Sequence, residues 1–254
     1  MPFARRCGAD FRITSASENP HSKVDYYQGI FACFRSFLGP GGRIDRVIRE
    51  KPDDVWKPVR YGSPFGTGVE GVLYVGYFQS HHQFEDVFDR HDINRMLGIP
   101  AARSRIESLH PDALTRGLFV HVRRGDYKSP AHSVHDLDLR AYYDRALKAA
   151  TERLPVGFRL FVISDDIEHC KRGETFQAFD DAVFVEGLNE VDTLYLMTFC
   201  RHGGICANST FSWFGAYLNE NEGKLVALPS RWWKLDSCLD GLYFEGSSKI
   251  SIEL

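Results

Sequence analysis

The chain has 254 residues, of which 26 % are charged and 13 % are aromatic, and its formal net charge is -3 at pH 7. This length is sufficient for one large domain or two small ones with a buried core. A charge so close to neutral provides no global field that attracts nucleic acid, so any basic binding site must be local.

Membrane segments and cysteine-based metal motifs are not predicted. No stretch approaches the roughly 20 apolar residues that cross a bilayer, and residues 1–10 have no apolar core typical of a signal peptide. The six cysteines form no C-x-x-C pair, which argues against a zinc site or a dense disulfide framework. We therefore expect a cytoplasmic chain with mostly reduced thiols, an isolated disulfide being the alternative.

The first hundred or so residues are less regularly patterned than the rest. Residues 73–78 predict a strand, and residues 93–97 predict a short helix that ends at the following Gly-Ile-Pro. We place the boundary between two lobes after this helix, which gives an amino-terminal lobe of residues 1–112 and a carboxyl-terminal lobe of residues 113–254.

The carboxyl-terminal lobe alternates short apolar runs with helical periodicity, a rhythm typical of a parallel sheet. Strands are predicted at Leu118–Val122, Arg159–Ser164, Ala182–Val185, Gly204–Ala207 and Leu225–Leu228. Helices are predicted at 139–150, 191–201 and 211–218, the first with Asp136 or Asp138 as its N-cap. The predicted fold class is therefore α/β, with a Rossmann-like parallel sheet in this lobe.

Two adjacent arginines, Arg123 and Arg124, directly follow the first of these strands. Guanidinium groups stay charged at any physiological pH and can pair with two phosphate oxygens at once, so a diphosphate is a natural ligand. The alternative is that the arginines only form salt bridges with nearby carboxylates. The arginine pair by itself leaves both interpretations open.

Polar side chains follow four of the predicted strands. In an open parallel sheet, ligands bind outside the carboxyl ends of the strands, where these side chains meet. They are His121, Arg123, Arg124 and Asp126 after the first strand, Ser164, Asp165 and Asp166 after the second, Glu186 after the third, and Asn208, Ser209, Thr210 and Ser212 after the fourth. Two cations, several carboxylates and a hydroxyl cluster are thus predicted at one edge of the sheet.

Some of these side chains have more than one reading. Residues 208–212 begin a predicted helix, whose free N–H groups attract phosphate, and their three hydroxyls either cap the helix or contact a ligand. Asp165 and Asp166 could accept from a guanine edge or a ribose hydroxyl, pair with the arginines, or hold a metal. The metal reading ranks last, because a diphosphate met by two arginines and a helix end needs no divalent cation.

Three motifs, in this order and spacing, resemble the alpha-1,2-fucosyltransferases of glycosyltransferase family eleven and, more loosely, the wider GDP-fucose superfamily. They are HVRRGDY at 121–127, FVISDD at 161–166 and NSTFSWFGAYL at 208–218. Residues 26–31 and 76–80 also resemble family segments. The similarity therefore covers most of the chain from about residue 24.

The resemblance implies a GT-B-like fold of two Rossmann-like lobes, with GDP-fucose held by the carboxyl-terminal one. The reaction would move L-fucose to a sugar hydroxyl, the 2-hydroxyl of galactose being favoured, with inversion and with neither metal nor cofactor. Arg123 would bind the β-phosphate with support from Arg124, and Asp126 and Glu186 are candidates for the general base. The implied donor-binding residues are His121, Arg123, Arg124, Ser164, Asp165, Asp166, Asn208, Ser209, Thr210 and Ser212.

One family feature has no counterpart here. Family members usually open with a βα unit that carries a Gly-x-x-Gly-Asn-Gln loop, and nothing in residues 1–24 resembles it. We therefore expect either a reduced amino-terminal lobe, which faces the acceptor, or a misassigned start codon. The expected partners are a nucleotide sugar and a glycan. Two alternatives stay open, a catalytically silent nucleotide-sugar-binding protein and a fucosyltransferase of another linkage.

Overall fold

The computed structural model describes residues 10–13, 25–51, 54–57, 71–235 and 237–253. The chain divides into two compact units, Met1–Ile99 with Cys238–Leu242 and Pro100–Ser237 with Tyr243–Leu254. This division falls before the boundary that we predicted at residues 112/113, and a short carboxyl-terminal segment joins the first unit. Most of residues 1–24, where we found no counterpart of the glycine-rich loop, lie outside the described residues.

The first unit contains a small parallel sheet. Strand β1 (Arg46–Arg49) pairs with β2 (Val72–Val75) along its whole length. We predicted β2 to continue to residue 78, but it ends at Val75. Beyond that point the N–H groups of Tyr77 and Phe78 donate to the carboxylate of Glu50 instead of to a strand.

Helices of the first unit are short. The helix predicted at 93–97 is α1 (Arg90–Met96), and it begins earlier because Asp89 caps it by accepting from the N–H of Asp92 at 2.7 Å. Single 3-10 turns cover Ala32–Phe37, His81–Gln83 and Asp240–Leu242.

The second unit is built on a six-stranded, fully parallel sheet with the order β5-β4-β3-β6-β7-β8. Its strands are β3 (Gly117–Val122), β4 (Arg159–Ser164), β5 (Val183–Phe184), β6 (Gly203–Ile205), β7 (Leu225–Pro229) and β8 (Ser247–Ile250). All six residues of the central β3 are buried, as expected for a strand covered on both faces. The predicted α/β class and Rossmann-like sheet are confirmed.

Among the described residues, two helices after α1 precede β3, and five more lie between β3 and the strands that follow it. They are α2 (Ile99–Leu109), α3 (Pro111–Arg116), α4 (Arg140–Arg153), α5 (Ile167–Arg172), α6 (Glu174–Gln177), α7 (Glu190–Phe199) and α8 (Thr210–Leu218). None of the helices in the described part of the chain is long and apolar enough to cross a membrane.

Helix α4 forms the crossover between β3 and β4. Its Tyr142 is completely buried, and the hydroxyl donates to the carbonyls of Cys206 and Ala227 at 2.7 and 2.9 Å. The predicted N-cap is wrong, because Leu139 occupies that position and no side chain caps the helix. Asp138 instead accepts from the N–H of Arg140, two residues along.

Candidate functional site

A pocket of about 460 Å³ opens at the carboxyl ends of β3, β4 and β5. This volume lies within the range of sites that hold small molecules, about 300–1,000 Å³. The pocket is lined by His121, Arg123, Ile163, Ser164, Asp165, Ile167, Val185, Glu186, Gly187, Leu188, Glu190, Thr193 and Phe211. Five of the residues predicted from the strand ends are in this set.

Arg123 lies at the wall of the pocket between two carboxylates. Its Nη2 is 2.8 Å from Oδ1 of Asp126, and its Nη1 is 3.1 Å from Oδ2 of Asp165. Asp126 Oδ1 nevertheless has no hydrogen-bond partner among the described residues, so the shorter contact is an ion pair without hydrogen-bond geometry. The guanidinium also lies 5.6 Å from the ring centroid of Tyr127 and is about one-third exposed. Its N–H donors can therefore reach a ligand.

Arg124 is also paired with protein groups. Its Nε donates to Oδ2 of Asp166 at 3.1 Å, and its backbone N–H donates to Oδ1 of Asp165 at 2.9 Å. Gly125 makes this approach possible, since a Cβ there would lie 2.5 Å from Asp165 Oδ2. Arg124 is not among the residues that line the pocket. The salt-bridge reading therefore describes the contacts of both arginines in this structure, and Arg123 is the one that also lines the pocket.

The two adjacent acids have different surroundings. Asp165 lines the pocket, whereas Asp166 caps α5 by accepting from the N–H of His169 at 3.2 Å. Ser164 Oγ in turn accepts from the N–H of Asp166 at 2.9 Å. Asp166 is thus held by Arg124 and by the start of a helix, and Asp165 is the acid that faces the cavity.

His121 is a buried polar residue in the pocket wall. Only 3 % of it is exposed, its ring lies 5.7 Å from that of Phe211, and its Nδ1 has no hydrogen-bond partner among the described residues. Burial, and secondarily the charge of Arg123, lower the pKa of His121 to about 3, so the imidazole is neutral. A buried ring nitrogen without a partner is costly, and a ligand in the pocket could supply one.

The residues that follow β6 are mostly turned into the protein. Asn208 donates through Nδ2 to the carbonyls of His135 and Trp232 at 2.9 and 2.8 Å. Ser212 is fully buried and donates to the carbonyl of Ser209 at 3.3 Å. Ser209 is the N-cap residue of α8, but its side chain makes no capping bond, and neither it nor Thr210 lines the pocket.

Tyr127 was not singled out from the sequence, although it lies within the first motif. Its hydroxyl donates to the carbonyl of Asn208 at 3.0 Å, which joins the segment after β3 to the start of α8. Burial raises the pKa of Tyr127 to about 12, so the hydroxyl keeps its proton at neutral pH. The pocket wall formed by residues 187–193 was also missed, although it directly follows Glu186 and leads into α7.

Comparisons with known proteins identify the family of this chain. The model of glycosyl transferase family 11 matches residues 66–234. The chain is 37 % identical over 181 residues to an alpha-1,2-colitosyltransferase of Escherichia coli, covering 69 % of this chain and 61 % of that protein. It is 34 % identical over 119 residues to the O-antigen biosynthesis glycosyltransferase WbnK of Escherichia coli, covering 44 % of this chain and 38 % of that protein. The chain therefore spans less than two thirds of the length of either relative.

Proposed function

Since this chain belongs to glycosyl transferase family 11, we propose that it transfers L-fucose from GDP-fucose to the 2-hydroxyl of a galactoside. The reaction inverts the anomeric centre and uses neither metal nor cofactor. The observation that carries the proposal is the pocket at the ends of β3 to β5, which combines a partly exposed guanidinium with a buried neutral imidazole. The first suits a diphosphate, and the second suits an uncharged polar group of a nucleoside.

The contacts suggest how the donor lies across the sheet. Arg123 follows β3, whose neighbour β6 leads into the start of α8, and we propose that the diphosphate lies between Arg123 and that helix end. The nucleoside then extends over β4 and β5. There the apolar side chains Ile163, Val185 and Leu188 offer a surface for a base, and Asp165 offers an acceptor.

In the proposed reaction, the acceptor oxygen bonds to C1 of fucose as the bond from C1 to the β-phosphate oxygen breaks. The electron pair stays with the GDP oxygen, and the acceptor proton passes to a base. Negative charge grows on the diphosphate as this occurs, so the fixed charge of Arg123 stabilises the transition state more than the ground state.

The two candidate bases occupy unequal positions. Asp126 is ion-paired with Arg123, which puts it on the side of the leaving diphosphate, whereas inversion requires a base on the opposite side of the sugar. We therefore assign Asp126 the positioning of Arg123. Glu186 accepts from Nζ of Lys171 at 2.8 Å at the end of β5, on the proposed nucleoside side of the pocket. We therefore expect the general base to be a residue other than Asp126 and Glu186.

A related donor sugar is favoured by one specific observation. The relative that shares 37 % identity with this chain is named an alpha-1,2-colitosyltransferase. Its name supports the 1,2-linkage proposed here and makes colitose, which is L-fucose without the 3-hydroxyl, a second candidate donor sugar. The choice depends on whether the pocket contains a partner for that hydroxyl.

The test is incubation of the chain with GDP-fucose or GDP-colitose, with and without lactose, followed by measurement of GDP release and of the fucosylated product. Lactose-dependent GDP release with one donor supports the transferase and identifies the sugar. Tight GDP binding without turnover on any galactoside would instead support the silent nucleotide-sugar-binding protein. Failure to bind GDP at all would contradict both.

A further inference from the structure

Two adjacent histidines and a glutamate converge in the first unit. His81 and His82 lie in the 3-10 turn His81–Gln83, and the N–H of Glu85 donates to the carbonyl of His81 at 3.1 Å, so the helical turn continues through Glu85. Residues three and four apart share a side of such a turn. The potential ligand atoms of the three side chains all lie within 4.8 Å of one another.

The contacts of His81 define which ring nitrogen carries the proton. Nδ1 lies 3.1 Å from the carbonyl oxygen of Gly241, which can only accept, so Nδ1 is the donor. The residue is 7 % exposed, and with the proton on Nδ1 the Nε2 atom of the ring carries a lone pair. This Nε2 lies 3.4 Å from Oε2 of Glu85. A cation between the two atoms would be attracted by both.

We propose that Nε2 of His81, Nδ1 of His82 and the carboxylate of Glu85 bind a zinc ion. Two imidazoles and one carboxylate suit zinc, whereas magnesium prefers oxygen ligands. Ligand atoms at about 2.0–2.2 Å from a tetrahedral zinc are about 3.3–3.6 Å apart, a separation that His81 and Glu85 already have. A fourth position is left for water.

Zinc binding at this site is balanced by a proton shift within one ring. Nδ1 of His82 lies 2.6 Å from Oε1 of Glu85, a hydrogen-bonding distance at which a proton on Nδ1 lies between the two groups. Zinc takes the place of this proton, which moves by way of the solvent to Nε2 of the same ring, so Nδ1 gains the lone pair that binds the metal. No new charge is buried in the exchange beyond that of the ion, which the carboxylate partly neutralises.

The carbonyl of Gly241 is an outer partner of the type that metal-binding imidazoles commonly have. A Cβ on Gly241 would lie 2.3 Å from Ser80 Oγ and 2.4 Å from the carbonyl oxygen of Trp56, so a glycine allows this close approach. The Gly241 N–H donates to the same Trp56 carbonyl at 2.6 Å. Zinc would therefore also fix the returning segment Cys238–Leu242 within the first unit.

The experiment is a titration of the untagged full-length chain with Zn²⁺ in competition with a chromogenic chelator. We expect one zinc per chain, with affinity lower by about 100-fold or more in His81→Ala and in Glu85→Gln. His91→Ala is the matched control, because it removes an exposed histidine of α1 in the same unit, and it should leave the affinity unchanged. Mg²⁺ in excess should not compete.

Gly241→Ala tests the outer contact, and its zinc affinity should fall by about 10- to 100-fold. The d–d spectrum of bound Co²⁺ should show tetrahedral coordination in the natural chain and should be lost in Glu85→Gln. Glu85 is one-third exposed, so this variant should keep its fold, as circular dichroism can verify. Absence of zinc binding in the natural chain, or a zinc affinity in His81→Ala and Glu85→Gln equal to that of the natural chain, would overturn the proposal. These outcomes do not depend on transferase activity.

Discussion

Replacing Arg123 by alanine tests the proposed diphosphate site most directly. In the structure its guanidinium lies between Asp126 and Asp165 at 2.8 and 3.1 Å and is about one-third exposed. The substitution removes the cation that we place on the β-phosphate and leaves two carboxylates at the same wall of the pocket. The diphosphate of GDP should therefore lose its attraction to the guanidinium and be repelled by the two carboxylates, so GDP should bind more weakly.

The size of the effect can be estimated from these contacts. A hydrogen bond to a charged group contributes about 1.5–3 kcal/mol, so the Kd for GDP should rise about 10- to 150-fold in Arg123→Ala. Lysine at this position restores the charge but not the paired donors, so the Kd of Arg123→Lys for GDP should lie between those of the natural chain and of Arg123→Ala. Adding Asp126→Asn to Arg123→Ala removes one partly exposed carboxylate and should recover about 0.2–1 kcal/mol of the free energy of GDP binding.

Isothermal titration calorimetry with GDP measures these differences. Arg140→Ala is the matched control, because it removes an exposed arginine that pairs with Asp138 in the same unit and does not line the pocket. An unchanged GDP affinity in Arg123→Ala, with Arg140→Ala equal to the natural chain, would refute the diphosphate role of Arg123.

Three further predictions concern pH, packing and metal. The pKa of buried His121 is lowered from 6.5 to about 3, so the free energy of unfolding should fall by about 1.4 kcal/mol per pH unit as the pH drops below 6.5. Urea titrations at several pH values measure this slope, which should be reduced in His121→Gln. Gly204→Ala should destabilise the chain by about 1–3 kcal/mol, since its Cβ would lie 2.3 Å from the Phe119 ring, and a thermal melt no lower than that of the natural chain would contradict this. The Glu85→Gln variant lacks the proposed zinc site, so its rate of transfer should be equal with and without EDTA. A loss of transfer in EDTA that Mn²⁺ restores would indicate a metal at Asp165.

The fold could be predicted where hydrophobic pattern and structure coincide. Strands β3 and β4 are apolar runs buried on both faces, and α4 presents its apolar residues at helical spacing, so both were visible in the sequence. Strand β8 was missed because Ser247–Ile250 contains no apolar run; it forms because β7 offers a free edge to pair with. Helix α2 was missed because Pro100 is its second residue, and the segment from Gly98 to Pro100 was interpreted as the end of the preceding helix.

The site was predictable at the level of the sheet edge but not of each side chain. His121, Arg123, Ser164, Asp165 and Glu186 line the pocket, as expected for residues at strand ends. Asn208 and Ser212 follow a strand in the same way, but their side chains satisfy buried carbonyls. Composition does not reveal which neighbour a side chain faces, because that depends on the turn between β6 and α8.

In the proposed reaction, the carboxylates around Arg123 hold its side chain in place before the diphosphate binds. Held between Asp126 and Asp165, the guanidinium loses less rotamer freedom when the donor binds, so less conformational entropy opposes binding. Its ion pairs are partly exposed, hence weak, and can yield to a diphosphate; a fully buried pair would resist the exchange by several kcal/mol. As charge develops on the leaving GDP, the balance shifts further from the carboxylates to the phosphate. The same acids that neutralise Arg123 in the free chain thus orient it for the transition state of the proposed transfer.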